Sequence, residues 1–356
     1  MFTLEALPAR EGDCLLLSWG DPDSPRRMLT DGGRLASYPY LHARIKELGP
    51  KPRLDYLVVT HVDGDHIEGV IRLLQDRTAM GLTLGDVWFN GWPQIANADQ
   101  LGSLQGEMVD ALLTRDQQPW NAAFGGRAAG VPTSGKLPVI DLGGGATATL
   151  LSPGRTQLQR LRGDWTKVLK AAGMKPGDQK AALAKLAKRK SLRGLEEASD
   201  VLGEKTDEDN SVANGASIAM LVEHDGRSVL LTGDGFGPVL VRGISRLLKQ
   251  RQQEVLSVDV VKLPHHGSAG NVSAALLALL DCGRFVISTN GDKYRHPDTT
   301  AVERVLARPH RDKGTELIFD YLCDTTRPWT TATAQRKGGY TATFPPESSP
   351  GIEIAI

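Results

Sequence analysis

The chain has 356 residues, and its 42 Lys and Arg are matched by 42 Asp and Glu, so the formal net charge at pH 7 is zero. No global electrostatic field advertises a nucleic-acid partner, and no apolar run approaches the roughly 18 residues a membrane span needs. The start, M-F-T-L-E-A-L-P-A-R-E, lacks a charged segment with an apolar core, and Cys14, Cys282 and Cys323 lack C-x-x-C spacing, so a cytoplasmic protein without a secretory signal is expected.

In chain order, Cys14–Trp19 reads as a strand, and Arg27–Thr30 leads as a second into the turn Asp31-Gly32-Gly33. Tyr40–Leu48 reads as a helix, Leu54–Val59 as a strand, Ile67–Leu74 as a helix and Val87–Asn90 as a short strand. Residues 91–140 show a helix near 101–114, then P-W-N at 119–121 and a Gly-rich loop at 125–130. Trp88, Trp92 and Trp120 lie around this stretch, and packing of long loops is preferred for them over stacking on a substrate ring.

Strands return at 137–152 with a tight turn at Gly143–Gly145. Residues 155–208 then read as two or three amphipathic helices. Their basic cluster (Lys185, Lys188, Arg189, Lys190, Arg193) precedes an acidic run from Glu196 to Asp209, so a solvated, locally neutralised face is preferred there over a phosphate-binding one. A hairpin follows, turning at Asp225-Gly226. From Gly314 onward E-L-I-F-D-Y, Y-T-A-T-F and I-E-I-A-I read as edge strands.

The chemistry gathers where strands end. T-H-V-D-G-D-H at 60–66 places His61, Asp63, Asp65 and His66 between an apolar strand and a helix, where layered α/β proteins put their sites. Imidazole and carboxylate together suit zinc or manganese. S-V-L-L-T-G-D at 228–234 delivers Asp234, and V-D-V-V-K-L-P-H-H-G-S at 258–268 delivers His265 and His266, again at strand ends. Any one of these has a plainer reading: Asp63 or Asp65 as a helix cap, Asp234 as a turn residue, the paired histidines as surface or core. The threefold recurrence of one arrangement favours a site.

This pattern resembles the metallo-β-lactamase superfamily. The variant H-x-D-x-D-H is similar to the hydrolase domain of the competence DNA-uptake proteins (the ComEC family) and its stand-alone bacterial relatives, as are L-T-D-G-G at 29–33, L-P-H-H-G-S at 263–268 and I-S-T-N-G-D-K-Y-R-H-P-D at 287–298. The resemblance implies an αββα sandwich over 1–356 as a single domain with 155–208 as a helical insertion. It implies His61 and Asp63 in one metal site, Asp65 and His66 in another, and Asp234 bridging. One of His265 and His266, with His265 favoured, would complete the second site. Asp31 would orient a ligating histidine, and His296 would sit at the cleft mouth, contacting a substrate oxygen or donating a proton.

The superfamily's additional mid-chain histidine is missing here. His224 lies at the far end of its strand, which leaves Asp209, Asn210, Asn214 and Ser217 to supply oxygen and one weaker metal position that favours manganese. A water held by two divalent ions loses its proton near neutral pH, and Asp65 is a candidate to accept one. Three functions remain open: a phosphodiesterase or nuclease, a hydrolase of a small lactone, thioester or lactam, and a weakly catalytic protein that binds a partner protein through 155–208.

Overall fold

Period-two alternation builds the molecule's layers. In the strand Leu15–Trp19, Leu15, Leu17 and Trp19 face one way and Leu16 the other; in the strand Ala219–His224, Met220 and Val222 oppose Ala219 and Leu221. Both faces of each strand are therefore apolar, and each sheet must be covered on both sides.

The computed structural model describes residues 1–95, 104–188, 211–310, 312–346 and 350–356. Its strands are β1 (Phe2–Ala6), β2 (Leu15–Trp19), β3 (Arg26–Thr30), β4 (Arg53–Val58), β5 (Thr83–Trp88), β6 (Val139–Gly143), β7 (Ala146–Ser152), β8 (Ala219–His224), β9 (Arg227–Leu231), β10 (Leu256–Ser257), β11 (Val260–Lys262), β12 (Leu280–Asp281), β13 (Arg284–Ile287), β14 (Glu316–Phe319), β15 (Thr341–Thr343) and β16 (Ile352–Ala355). Its helices are α1 (Tyr38–Glu47), α2 (Gly64–Met80), α3 (Trp92–Ile95), α4 (Leu104–Arg115), α5 (Arg155–Ala171), α6 (Gln179–Lys188), α7 (Val212–Gly215), α8 (Gly237–Arg251), α9 (Ala274–Leu277), α10 (Thr299–Ala307) and α11 (Ala332–Gly338).

Two mixed sheets form, one ordered β16-β1-β2-β3-β4-β5 and the other β15-β14-β13-β11-β9-β8-β7-β6. Between them lies an apolar layer containing Leu4, Leu17, Trp19, Trp88, Leu150, Met220 and Val260. A second layer joins the first sheet to α1, α2, α4, α5 and α6, and a third joins the other sheet to α8, α9 and α10. Each large apolar side chain so buried contributes about 1.5–3 kcal/mol. The layer order is αββα.

α2 is held tightly against the end of β3. The Gly32 N–H donates to the His66 carbonyl at 2.8 Å and the Gly69 N–H to the Gly33 carbonyl at 2.9 Å. A Cβ on Gly69 would come within 1.9 Å of the Gly32 oxygen, so only glycine permits this approach.

The fold departs from the sequence expectations in a few places. The segment E-L-I-F-D-Y is no edge strand: β14 sits between β13 and β15, and its run from Leu317 to Phe319 is buried as an interior strand must be. Helix α4 starts at Leu104, and 101–103 lie outside the described residues, as do Arg189, Lys190, Arg193 and the acidic run. The helices α5 and α6 are interposed between the antiparallel neighbours β7 and β8. Trp88 lies in the layer between the sheets, Trp120 stacks on Phe89 and donates to its carbonyl, and the Arg162 guanidinium covers Trp92, which is the packing role expected of all three. Among the described residues, no helix is long and apolar enough to cross a membrane.

Candidate metal centre

Strand ends from both sheets meet at one end of the sandwich. After β4 the chain continues through Val59 and Thr60, whose carbonyl accepts from the Ile218 N–H on the other sheet's side at 2.9 Å. Asp63 is extended and precedes α2, yet its side chain makes no capping hydrogen bond, so the helix-cap explanation for it does not apply. Asp65 and His66 occupy the buried first turn. Asp234 follows β9, and His265 and His266 follow β11 in a kink where both adopt the left-handed region, with φ of 46° and 54°. Asp31, after β3, has φ 60°. Non-glycine residues held there carry strain that the surroundings must offset, a recurrent property of functional sites.

Hydrogen bonds settle which ring nitrogen of each histidine faces the centre. Asp31 accepts from His66 Nδ1 at 2.8 Å and from the Thr60 hydroxyl at 2.7 Å. Thr60 Oγ1, having donated to Asp31, can only accept from His61 Nδ1 at 2.9 Å. The Ser288 carbonyl accepts from His266 Nδ1 at 2.8 Å. Asn271 donates through Nδ2 to the carbonyls of Asp234 and Gly235, which turns its Oδ1 to accept from His265 Nδ1 at 3.1 Å. With all four Nδ1 atoms committed, all four Nε2 atoms point inward, the arrangement of metal-ligating imidazoles.

Those nitrogens converge on one carboxylate oxygen. Asp234 Oδ2 lies 3.9 Å from His61, 3.3 Å from His66, 3.8 Å from His265 and 3.3 Å from His266, measured to Nε2. Two donor groups share it. In one, His61 Nε2 is 3.7 Å from Asp63 Oδ2, and His265 Nε2 also reaches Asp234. In the other, His66 and His266 Nε2 are 3.3 Å apart, and Asp65 Oδ2 is 3.9 and 3.5 Å from them. Donors about 2.0–2.2 Å from one tetrahedral ion stand about 3.3–3.6 Å from each other. The observed spacings, slightly wider in places, fit two divalent cations. His61 Nε2 and Asp234 Oδ1 are buried with no hydrogen-bond partner, which likewise fits a cation as the missing neighbour.

Of the two adjacent histidines, the one that meets Asp65 and His66 is His266, not the His265 that the sequence favours. Both residues of the kink adopt the left-handed region, and His265 reaches Asp234 and adds to the lowering of His61. The His61–Asp63 group lacks a mid-chain histidine, which leaves His265 as the imidazole available to it. His224 ends β8 at the other end of the strand and packs its ring on Phe2. Asn214 lies beside the site, its Nδ2 3.5 Å from His265 Nε2, and the Ser217 hydroxyl accepts from the Asp234 N–H. Asp209 and Asn210 lie outside the described residues. His296 is placed next to the centre rather than in it, its ring 5.2 Å from that of His265 and its Nδ1 3.4 Å from Asp298.

Asp13 is an addition that the motifs do not predict. It clusters with His66, Asp234 and His266, ligand-type atoms of all four lying within 4.8 Å of one another, every one buried. It precedes β2 instead of ending a strand, so reasoning from strand ends passes it over; a lone acid opening an apolar run is the available signal.

Burial opposes charge throughout, and the partners decide the outcome. Burial pushes Asp234 up, but His266, His66 and His265 outweigh it and hold the carboxyl well below its usual range. Asp65 is lowered likewise, against burial, by His66, His266 and Arg34. Burial lowers His66 and His266, yet the carboxylates, Asp234 foremost, hold both imidazoles well above their ordinary value. His61 goes the other way, pushed down to about 3 by burial and by His66. So dense a set of anions demands positive charge among the Nε2 atoms, supplied by protons or by metal ions.

No protein-family model matches the sequence, and no curated protein matches it. Solved structures do. The metallo-β-lactamase fold protein YhfI from Bacillus subtilis is 11% identical, over 99% of this chain and 98% of that one, with a TM-score of 0.42. CmlA, a diiron β-hydroxylase from Streptomyces venezuelae, is 13% identical over all of this chain, which spans 54% of its length, with a TM-score of 0.40. A Cronobacter sakazakii metallo-β-lactamase carrying a HARLDQ-motif mutation is 15% identical over 70% of each chain, with a TM-score of 0.32. Likeness this distant says nothing of substrate. The layers and sheet order of the chain itself make it an αββα sandwich, with side chains of metal-ligating type gathered where the strand ends of its two sheets meet.

Proposed function

We propose that the chain is a metal-dependent hydrolase of the metallo-β-lactamase superfamily, acting on phosphodiesters in a reducing cytoplasm, with nucleic acids among its substrates. The observation that carries this is the convergence of four imidazole Nε2 atoms on Asp234 Oδ2. Two donor groups of tetrahedral size share that oxygen. His61, Asp63 and His265 would hold one zinc or manganese ion, and Asp65, His66 and His266 the other. Bound there, the two ions would supply Lewis acidity and a water-derived nucleophile at neutral pH, and a pair of cations suits the attacking and leaving oxygens of an in-line phosphoryl displacement.

The chain's own residues do the rest. Asp31, Thr60, Asn271 and the Ser288 carbonyl fix the imidazoles, so little reorganisation is needed when charge develops. Asp65 is held so far into its anionic form that it suits ligation better than accepting a proton. His296 is pushed down by burial, so at neutral pH it is an uncharged imidazole able to accept a hydrogen bond from a substrate or water. Beyond it, Tyr294 stacks its ring 6.1 Å from that of His296, with the Lys293 ammonium 4.7 Å above the tyrosine. Asn214, also beside His265, belongs to α7, against which α5 packs with Arg155, Arg160 and Lys167 exposed. The exposed Lys293 ammonium beside Tyr294 favours an anionic substrate over a neutral lactone.

The test is hydrolysis of a chromogenic phosphodiester with added Mn²⁺ or Zn²⁺, comparing the wild type with Asp234→Ala. Metal-dependent turnover that disappears in the variant is expected. Wild-type protein that binds both ions yet leaves every phosphodiester intact would overturn the reading and turn attention to lactones and thioesters.

A further inference from the structure

Lys262 lies directly behind the centre with none of its side chain exposed, and a charge so deeply buried needs a reason to be there. It ends β11 in the larger sheet, and its Nζ lies 2.5 Å from Oδ2 of Asp13, which precedes β2 in the smaller one. The ion pair therefore crosses from sheet to sheet. Asp13 Oδ1 lies 3.5 Å from His266 Nδ1. Its neighbour Gly12 packs onto the backbone of Asp65: a Cβ at Gly12 would fall 1.6 Å from the Asp65 carbonyl oxygen. The Ser288 hydroxyl donates to the Gly12 carbonyl at 2.7 Å, while the Ser288 carbonyl accepts from His266. One short loop thus touches Asp65 at the start of α2 and His266 after β11.

We propose that Asp13 and Lys262 are positioning residues that set the spacing between Asp65 and His266, and so the affinity of the ion held by Asp65, His66 and His266. This rests on reading those three as metal donors. Folding stability is a poor explanation for such a pair, because two well-packed apolar side chains in its place are commonly as stable or more so. What the pair supplies is a fixed distance across the sandwich, of the kind outer partners of metal ligands provide.

The experiment is titration of the full-length, metal-stripped chain with Mn²⁺ and with Co²⁺, following calorimetry, bound-metal content and the cobalt absorption spectrum. Wild type is compared with Asp13→Asn, Lys262→Met and the double variant Asp13→Leu/Lys262→Met, each checked for folding by circular dichroism. Each folded variant is expected to bind one ion about 10–100-fold more weakly than the wild type and the other within roughly threefold. Combined with His266→Ala the loss should not add, whereas with His265→Ala it should. Should the single variants fail to fold, the double variant, which leaves no unpaired buried charge, decides the matter. Folded variants that bind both ions as the wild type does, or weaken both equally, would overturn the proposal and leave the pair a purely structural one. A wild-type chain that takes up fewer than two ions would overturn the donor assignment beneath it, before any variant is compared.

Discussion

The two donor groups around Asp234 differ in how far they are closed off. In the group of Asp65, His66 and His266 the side chains are 9%, 0% and 1% exposed, and Asp31, the Ser288 carbonyl and Asp13 stand behind them. In the other group His61 is fully buried, but Asp63 and His265 are 34% and 18% exposed. A buried position with several outer partners holds an ion tightly; an open one exchanges it and can receive a substrate oxygen. If both groups hold ions as proposed, the difference makes the two positions unlike in task, the inner one structural to the site and the outer one facing the reaction.

The most severe way to break this comparison is to remove what the groups share. Asp234→Ala should abolish binding of both ions and lower turnover by more than about 100-fold, beyond what loss of an outer partner produces. Metal content and hydrolysis rate, read on protein whose folding is verified, check it. A variant that kept one ion at wild-type affinity would show the groups to be independent.

Separating the groups comes next. His266→Ala should eliminate the tighter ion, and His265→Ala only the weaker one, each seen as one lost step in a metal titration. If His265→Ala instead removed the tighter ion, the division drawn from the 3.5 Å approach of His266 to Asp65 would be reversed. Smaller again is Asp31→Asn, which keeps a hydrogen-bonding group beside His66 and Thr60 but removes its charge. It should weaken the inner ion by about tenfold and the outer one, whose His61 it reaches only through Thr60, by less, by the same titration.

Much of this centre is legible in the sequence, because its residues stand at strand ends and a strand end can be read from an apolar run giving way to polar residues, Gly or Pro. His61, Asp63, Asp65, His66, Asp234 and the histidine pair all have that form. The partition of His265 and His266 is not legible: it depends on two successive left-handed residues, and adjacency in sequence does not say which way each ring turns. Asp13 and Lys262 are hidden for a different reason. Their pairing is made by packing one sheet on the other, a contact between residues 249 positions apart (262 − 13) that no local pattern encodes. The interior position of β14 escapes the sequence for the same cause, since neighbours in a sheet are chosen by the whole fold.

The mildest prediction concerns the mouth of the site. Burial lowers the pKa of His296, with the neighbouring His265 adding to the effect and Asp298 opposing it. In the unfolded chain its imidazole takes up a proton near pH 6.5, while in the folded protein it stays neutral until the pH is lower. The stability tied to that group is thus fully present above about pH 6.5 and is lost as pH falls through the folded-state value. His296→Gln removes the titration and should reduce the drop in Tm between pH 7.5 and 5.5 by about 2 °C or less in a chain this long. Thermal melts of both proteins without metal test it, because His61, also pushed down by burial, contributes the same slope to each and cancels in the difference. A larger drop in the variant would mean that His296 is protonated at the cleft mouth, aligned with the outer ion's anions and suited to donate a proton rather than to accept one.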